Sequence, residues 1–179
     1  MRQIALLRGI NLASRRRVSM PELRELLGGL GYEDVRTLLQ SGNVVLTAPV
    51  AGERLARRLE REIEDGLGVD AAVVVRSRDE LAAVVEANPF ADLMTDGRFL
   101  QVSFLAGDPD PAYVEELAAT DLGDERVAVI GRELYAWYPQ GMAKSKLAKV
   151  KLEQGLGTVA TARNWNTVCK LLALADEPV

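Results

Sequence analysis

The segment Val35-Arg-Thr-Leu-Leu-Gln-Ser-Gly-Asn-Val-Val-Leu-Thr47 predicts a β-hairpin in the first half of the chain. Val35–Gln40 is a strand-forming run, Val44–Thr47 is the returning strand, and Gly42-Asn43 lies between them. Glycine at the first position of a two-residue loop is typical of a type II′ turn, because that position takes a positive φ. The hairpin supplies two antiparallel strands, and the flanking segments decide which fold they join.

The segments on either side of the hairpin each predict a helix and a further strand. Upstream, Gln3–Leu7 is an apolar run typical of a strand buried on both faces, and Ser19-Met-Pro-Glu22 matches a helix capping box. Downstream, the apolar spacing from Leu55 to Ile63 indicates a helix, and Ala71–Val75 a fourth strand. The order strand, helix, strand, strand, helix, strand is that of a ferredoxin-like unit.

The second half of the chain repeats this order. Leu100–Leu105 predicts a strand, Asp110-Pro111 begins a helix, and Gly131-Arg132 is another glycine-first hairpin turn. Lys144–Gln154 predicts the next helix, and after a short strand a last helix begins at Asn164. We therefore predict an α+β protein of two tandem ferredoxin-like βαββαβ units, each followed by an extra helix.

A linking helix joins the two predicted units. Ser77 and Glu80 are spaced as a second capping box, and Asn88-Pro89 ends the helix. The prediction is a first unit with its linking helix at residues 1–88, and a second unit with the C-terminal helix at residues 97–179.

Composition excludes several classes of function. The chain has no histidine and one cysteine, so Ser-His-Asp and Cys-His catalysis and the usual histidine or thiolate metal sites do not fit. The single cysteine suits a reducing cytoplasm, and the chain has neither a signal-peptide pattern nor a membrane-spanning run. A net charge of −4 disfavours general binding of nucleic acid. The sequence identifies no cofactor.

The ferredoxin-like topology brings two sets of polar residues together. In the first unit, the end of the first strand lies beside the tip of the hairpin. In the second unit, the loop before the second helix lies beside the end of the fourth strand. Helix starts expose free amides that bind anions. The predicted anion-binding residues are Arg8, Asn11, Arg15, Ser41 and Asn43 in the first cluster, and Lys144, Lys146, Thr161, Arg163 and Asn164 in the second.

These residues also have structural explanations. Ser41–Asn43 is explained by a turn alone, and runs of basic residues are usually solvated faces. Cys169 falls on the apolar face of the last helix, as a core residue would. Tyr135 and Trp137 share a face of the second sheet, but no RNA-recognition motif accompanies them, so RNA binding on that sheet is not expected.

Six short segments together resemble the bacterial family known as domain of unknown function 1697. They follow the family's order along nearly the whole chain. The resemblance implies a two-part α/β fold and a cytoplasmic protein, and it implies no established activity. The segments are Leu7-Arg-Gly-Ile-Asn11, Met20-Pro-Glu-Leu-Arg24, Gln40-Ser-Gly-Asn-Val44, Asn88-Pro-Phe90, Ser145-Lys-Leu147 and Thr161-Ala-Arg-Asn-Trp-Asn-Thr167.

Three functional hypotheses remain from the sequence. The first is binding of an anionic ligand, either a nucleotide or the phosphates of a nucleic acid, at the two basic clusters. The second is a metal-independent or Mg²⁺-dependent enzyme acting on a phosphorylated metabolite. It would need a carboxylate or lysine base, and the polar motifs contain no carboxylate. The third is a protein-interaction module for an acidic partner. The sequence does not indicate the oligomeric state.

Overall fold

The structure, a computed structural model of the chain, describes residues 1–11, 17–149 and 152–178. These residues form eight β-strands and six α-helices. The strands are β1 (Arg2–Leu7), β2 (Glu33–Leu38), β3 (Asn43–Thr47), β4 (Val73–Ser77), β5 (Leu100–Leu105), β6 (Arg126–Ile130), β7 (Glu133–Trp137) and β8 (Ala160–Asn164). The helices are α1 (Met20–Gly29), α2 (Gly52–Leu67), α3 (Arg78–Glu86), α4 (Pro111–Ala119), α5 (Leu152–Leu156) and α6 (Trp165–Asp176).

Two four-stranded antiparallel sheets confirm the predicted fold class. The first has the order β2-β3-β1-β4 and the second the order β6-β7-β5-β8. In the first sheet the central strand β1 pairs with both β3 and β4, so that Ala5 faces Val44 on one side and Val75 on the other. Both sheets have the ferredoxin-like order, and the chain is a tandem α+β duplication.

Contacts divide the chain into two units, and the divisions fall inside helices. The first unit comprises Met1–Ala83 and Lys170–Val179, and the second comprises Val84–Cys169. Helices α3 and α6 therefore each begin in one unit and end in the other. The predicted limits, 1–88 and 97–179, assigned each linking helix wholly to the unit before it, and they remain a prediction.

The core of the first unit lies between its sheet and the helices α1 and α2. Ala5 and Leu7 alternate along β1 toward this side, and Leu23, Leu55 and Ile63 meet them with exposed fractions of 1% or less. Each fully buried leucine or isoleucine contributes about 1.5–3 kcal/mol relative to an exposed one. The spacing that predicted α2 thus marks the side chains that hold it against the sheet.

The opposite face of the first sheet is also buried. Ile4, Leu6, Val45 and Val74 point away from the helix side, and each is at most 2% exposed. This explains the almost wholly apolar β1, which predicted a strand buried on both faces.

The corresponding face of the second sheet is closed to stacking ligands. Tyr135 and Trp137 are 1% and 5% exposed. The Tyr135 hydroxyl donates to the carbonyl of Val84, at 2.9 Å, in the part of α3 that belongs to this unit. Neither ring can accept a stacked base without being uncovered.

The predicted starts of α3 and α4 are confirmed by their capping bonds. Ser77 and Glu80 form the reciprocal capping box: the Glu80 amide donates to Ser77 Oγ at 3.2 Å, and the Ser77 amide to Glu80 Oε2 at 2.7 Å. Asp110 accepts from the Ala112 amide at 2.9 Å. Local sequence signals therefore suffice to begin these helices.

The two hairpin predictions have different outcomes. The second is confirmed, because Ile130 faces Glu133 across the two-residue loop and Gly131 has a φ of 58°. The first is wrong in loop length: Leu38 faces Asn43, so residues 39–42 form a four-residue loop. Asn43 belongs to β3 and is fully buried.

The helix predicted at Lys144–Gln154 is also wrong. The chain instead makes 3-10 turns at Met142–Lys144 and Leu147–Lys149, and α5 follows. Ser145 separates the turns with an extended backbone, φ −70° and ψ 137°. Its hydroxyl accepts from the Ala148 amide at 2.8 Å and so begins the second turn.

Candidate functional site

Asn11 organises the polar cluster at the end of the first sheet. Its Nδ2 donates to the carbonyls of Val18 at 2.9 Å and Gln40 at 2.7 Å, and its Oδ1 accepts from the Val18 amide at 2.8 Å. Asn11 has a φ of 55°, a left-handed conformation that asparagine tolerates better than most residues. Its amide joins the segment after β1, the segment before α1 and the hairpin tip.

The tip of the hairpin is held by a second buried amide. Asn43 Nδ2 donates to the Leu38 carbonyl at 2.7 Å and to Ser41 Oγ at 2.9 Å. Gly42, with a φ of 78°, accepts from the Leu7 amide at 2.8 Å. A Cβ on Gly42 would lie 2.7 Å from both Leu7 Cβ and Ile10 Cδ1. Only glycine therefore lets the tip approach β1 this closely.

An open cleft of about 390 Å³ lies beside these amides. It is lined by Asn11, Arg17, Val18, Ser19 and Gln40. Within the part of the chain that the structure describes, this lining includes one cationic side chain, the exposed Arg17, and no carboxylate.

Arg8 and Arg15 are the other two anion-binding residues predicted at this end of the sheet. Arg8 follows β1 and is exposed, and its amide donates to the Ala72 carbonyl at 2.8 Å. Arg15 lies outside the described residues. The structure thus brings Asn11, Ser41 and Asn43 to one end of the first sheet, as the topology predicted, and places Arg8 at the same end.

Leu39 is a strained and exposed residue at the hairpin tip. Its φ is 60°, in the left-handed region, and 55% of its surface is exposed. Such a conformation is costly for a leucine, and strain of this kind clusters at ligand-binding sites. Leu39 immediately precedes Gln40, which lines the cleft.

The second cluster is built around a buried arginine. Arg163 is 8% exposed, and its Nη1 donates to Thr161 Oγ1 and to the Ala162 carbonyl, both at 2.8 Å. Burial lowers the pKa of the guanidinium to about 10, because the charged form loses its hydration. In the register of β5 and β8, Arg163 faces Val102, on the sheet side opposite the helix-side core.

Asn164 caps α6 as predicted. Its Oδ1 accepts from the Thr167 amide at 2.9 Å and from the Thr167 hydroxyl at 3.1 Å. The side chain therefore satisfies an amide of the first helical turn.

The turn after Ser145 already holds an anion, the protein's own Glu125. Its carboxylate accepts from the amides of Lys146 and Leu147, both at 2.9 Å, and from Ser145 Oγ at 3.0 Å. Burial alone would raise the pKa of Glu125, but these bonds outweigh it and hold the pKa below its usual value. These two amides are thus occupied by a carboxylate of the chain itself, and anion binding at Lys146 stays a prediction.

Lys146 and Arg163 are not brought together. Leu147 packs into the core on the helix side of the second sheet, whereas Arg163 lies on the opposite side. Lys146 instead lines a cleft of about 250 Å³ with Glu125 and Asp124. The side chain of Lys144 lies outside the described part of the structure.

The sequence reasoning missed Arg76. It is 2% exposed and lies one residue before the Ser77 cap of α3, as Arg163 lies one residue before the Asn164 cap of α6. In the sheet registers Ser77 faces Gln3 and Asn164 faces Gln101, so the two arginines are equivalent in the duplication. An arginine followed by a capping residue at both strand–helix junctions was the available signal.

Two features are absent from the described residues: a cluster of metal-binding side chains and a membrane-spanning helix. They contain no group of three or more His, Cys, Asp or Glu side chains placed to hold a metal ion. None of the helices in the described ranges is long and apolar enough to cross a membrane.

Comparison with known proteins gives a family and a fold. The family model described as "Protein of unknown function (DUF1697)" matches residues 1–135. The solved structure of conserved bacterial protein SP0830 from Streptococcus pneumoniae is similar over 98% of each chain, with a TM-score of 0.77 and 23% identity. At that identity the likeness concerns the fold alone. A search of curated proteins found no match.

Proposed function

The chain belongs to the DUF1697 family of proteins of unknown function, and we propose that its first unit binds a phosphate-bearing anion in the cleft beside Asn11. The observation that carries this proposal is the charge of the cleft lining, which among the described residues includes Arg17 and no carboxylate. The ligand class is a nucleotide or the phosphates of a short nucleic acid.

Charge distinguishes this cleft from those of the second unit. The cleft beside Lys146 includes Asp124 and Glu125 in its lining, and a neighbouring cleft of about 200 Å³ includes Asp121 and Glu125. Carboxylates repel a phosphate and are themselves partners for nearby cations. A volume of about 390 Å³ also falls within the range of about 300–1,000 Å³ that is usual for small-molecule sites.

The cleft wall is preorganised. Asn11 ties the Val18 and Gln40 backbones together, and Asn43 closes the hairpin tip behind them. Folding has therefore already ordered this wall, so binding a ligand costs no further conformational entropy there. Asn11 and Asn43 act in this proposal as positioning residues, and Arg17, with Arg8 at the same end of the sheet, supplies charge.

The test is calorimetric titration at low salt with pyrophosphate, ATP and a short oligothymidylate. One probe class should bind to the native chain. Replacing Arg17 by glutamine should weaken that binding by about tenfold, since a charge-assisted bond contributes about 1.5–3 kcal/mol. The matched control is Arg54→Gln, which removes an exposed arginine from α2 and should leave the affinity unchanged.

The salt dependence identifies the ligand class. A nucleic-acid backbone releases counterions, so its affinity falls steeply with salt, whereas a nucleotide shows a smaller slope and a base preference. Absence of binding by every probe contradicts the proposal. An equal loss of affinity in Arg17→Gln and Arg54→Gln also contradicts the proposal, because it would mean that binding responds only to net charge.

The cytoplasmic location expected from the single cysteine is part of this proposal. Cell fractionation of the native, untagged protein tests it, and recovery of the protein outside the cytoplasmic fraction would contradict it.

A further inference from the structure

The strand β6 forms an edge of the second sheet and pairs with β7 on one side only among the described strands. Ile130 faces Glu133 across a two-residue loop, so this pair exchanges hydrogen bonds, and bonded pairs alternate along the strand. Val127 and Val129 consequently direct their amides and carbonyls away from β7. Among the described residues, no backbone group bonds to these outward amides. An edge of this kind is a template for another strand.

The other sheet edges carry features that discourage pairing. In β2 the register shifts between Glu33 and Arg36, and Asp34 has a φ of 46°. Carboxylates occupy amides at the starts of β4 and β8: Val73 donates to Glu60 at 2.9 Å, and Ala160 donates to Glu153 at 2.8 Å. Bulges, charges and occupied amides all blunt an edge.

Within the described part of the chain, β6 has neither a bulge nor an outward amide occupied by a carboxylate, and its one charge is at its first residue. The strand Arg126-Val-Ala-Val-Ile130 contains no proline and, after Arg126, no charge. Its register with β7 is regular from end to end. Ile130 is 41% exposed, a large apolar side chain left on the surface at the end of the strand.

We propose that two copies of this chain associate through antiparallel pairing of β6 with β6 about a two-fold axis at Ala128. In this register Val127 of each copy faces Val129 of the other, and the outward amides and carbonyls bond to one another. Ala128 of one copy faces Ala128 of the other, and alanine is the smallest side chain of the strand. The two second sheets then form one continuous sheet.

Charge complementarity selects a second copy as the occupant. Asp124 and Arg132 each lie four residues from Ala128, on opposite sides. A two-fold axis at Ala128 therefore places Asp124 of each copy opposite Arg132 of the other. The cleft at the start of β6 has Asp121 and Glu125 in its lining together with Arg126, so its carboxylates outnumber its cation where the partner's arginine arrives. Arg126 likewise falls opposite Ile130, whose exposed surface its aliphatic stem can cover.

Analytical ultracentrifugation over a concentration series, combined with amide hydrogen exchange, tests the pairing. The full chain should sediment as a dimer at high concentration. The Val127 and Val129 amides should be protected there and exchange freely on dilution. The Ala128 and Ile130 amides bond within the hairpin and should stay protected at both concentrations, which makes them the internal control. A monomer at millimolar concentration, or free exchange at Val127 and Val129 throughout, overturns the proposal.

Charge exchange tests the register. Asp124→Arg and Arg132→Asp should each weaken the dimer by about tenfold, because two pairs are lost per dimer. The double variant restores both pairs with reversed polarity and should recover the native affinity. Asp108→Arg, the same charge change at an exposed site away from β6, should have no effect. Protection of Ala128 and Ile130 shows that each variant is folded. A double variant as weak as the singles contradicts the register about Ala128.

Discussion

At the scale of single residues, the polar side chains that drew attention in the sequence bond mainly to the chain itself. Asn11 and Asn43 bind backbone carbonyls around the hairpin tip, and Asn164 caps α6. Topology was enough to predict that Asn11 and Asn43 share one end of the sheet. The sequence alone did not reveal that their side-chain amides bond to the backbone of this end of the sheet. An asparagine that bonds to the backbone and one that binds a ligand have the same neighbours in the sequence.

Glu125 is the residue whose loss should be most informative for stability. Its carboxylate satisfies the amides of Lys146 and Leu147 and the Ser145 hydroxyl. Glu125→Gln leaves part of this set without an acceptor and should lower the free energy of unfolding by about 1–3 kcal/mol. Urea denaturation near pH 7 measures the loss. Glu115→Gln, at an exposed position of α4, is the control.

The free energy of unfolding lost in Glu125→Gln should also depend on pH, and it should become smaller as the pH falls. The folded pKa of Glu125 lies below its usual value, so the unfolded chain binds a proton first as the pH falls. The stabilisation is fully present above the unfolded pKa of about 4.3, and it disappears as the pH falls through the folded pKa. The difference between native and Glu125→Gln should therefore shrink in acid. A difference that stays constant would mean that the charge of Glu125 contributes nothing.

At the scale of elements, local signals predicted the helix starts and failed where a distant group competes. Ser77, Glu80 and Asp110 act within a few residues, and their helices begin where expected. The segment after Lys144 has helical spacing too. Glu125, about twenty residues earlier, accepts from the amides of Lys146 and Leu147, and the segment forms a 3-10 turn at Leu147–Lys149 and the short helix α5 instead of one continuous helix. No local pattern could have predicted that competition.

The two hairpin glycines provide a matched test of what the tips require. Gly42 and Gly131 both have a positive φ, of 78° and 58°. Alanine at Gly131 would find its nearest neighbour at 3.8 Å and should cost only the conformational penalty, about 1–2 kcal/mol. Alanine at Gly42 would also overlap Leu7 and Ile10 and should cost about 1–3 kcal/mol more. Urea denaturation of both variants measures the difference, and equal losses would show that the first tip moves away from β1 without cost.

At the scale of the whole molecule, the duplication was predictable because each unit repeats the same order of patterns. The assignment of the linking helices to units remains a prediction, since spacing shows that a helix has an apolar face and not which sheet that face meets. The sequence placed α6 with the second unit, whereas contacts place Lys170 onward with the first. Ion pairs agree with the contacts: Asp176 meets Arg78 at 2.6 Å, and Glu177 meets Arg36.

Two substitutions three residues apart on α6 can decide between these assignments. Val168 and Leu171 are both fully buried, and the division between the units falls between them. Leu171→Ala should lower hydrogen-exchange protection in β1 and β3 by the equivalent of about 2–5 kcal/mol and leave β5 and β7 protected. Val168→Ala should do the reverse, with a smaller loss for its smaller side chain. If both variants loosen only β5 and β7, the whole of α6 belongs to the second unit, as the predicted limit of 97–179 requires.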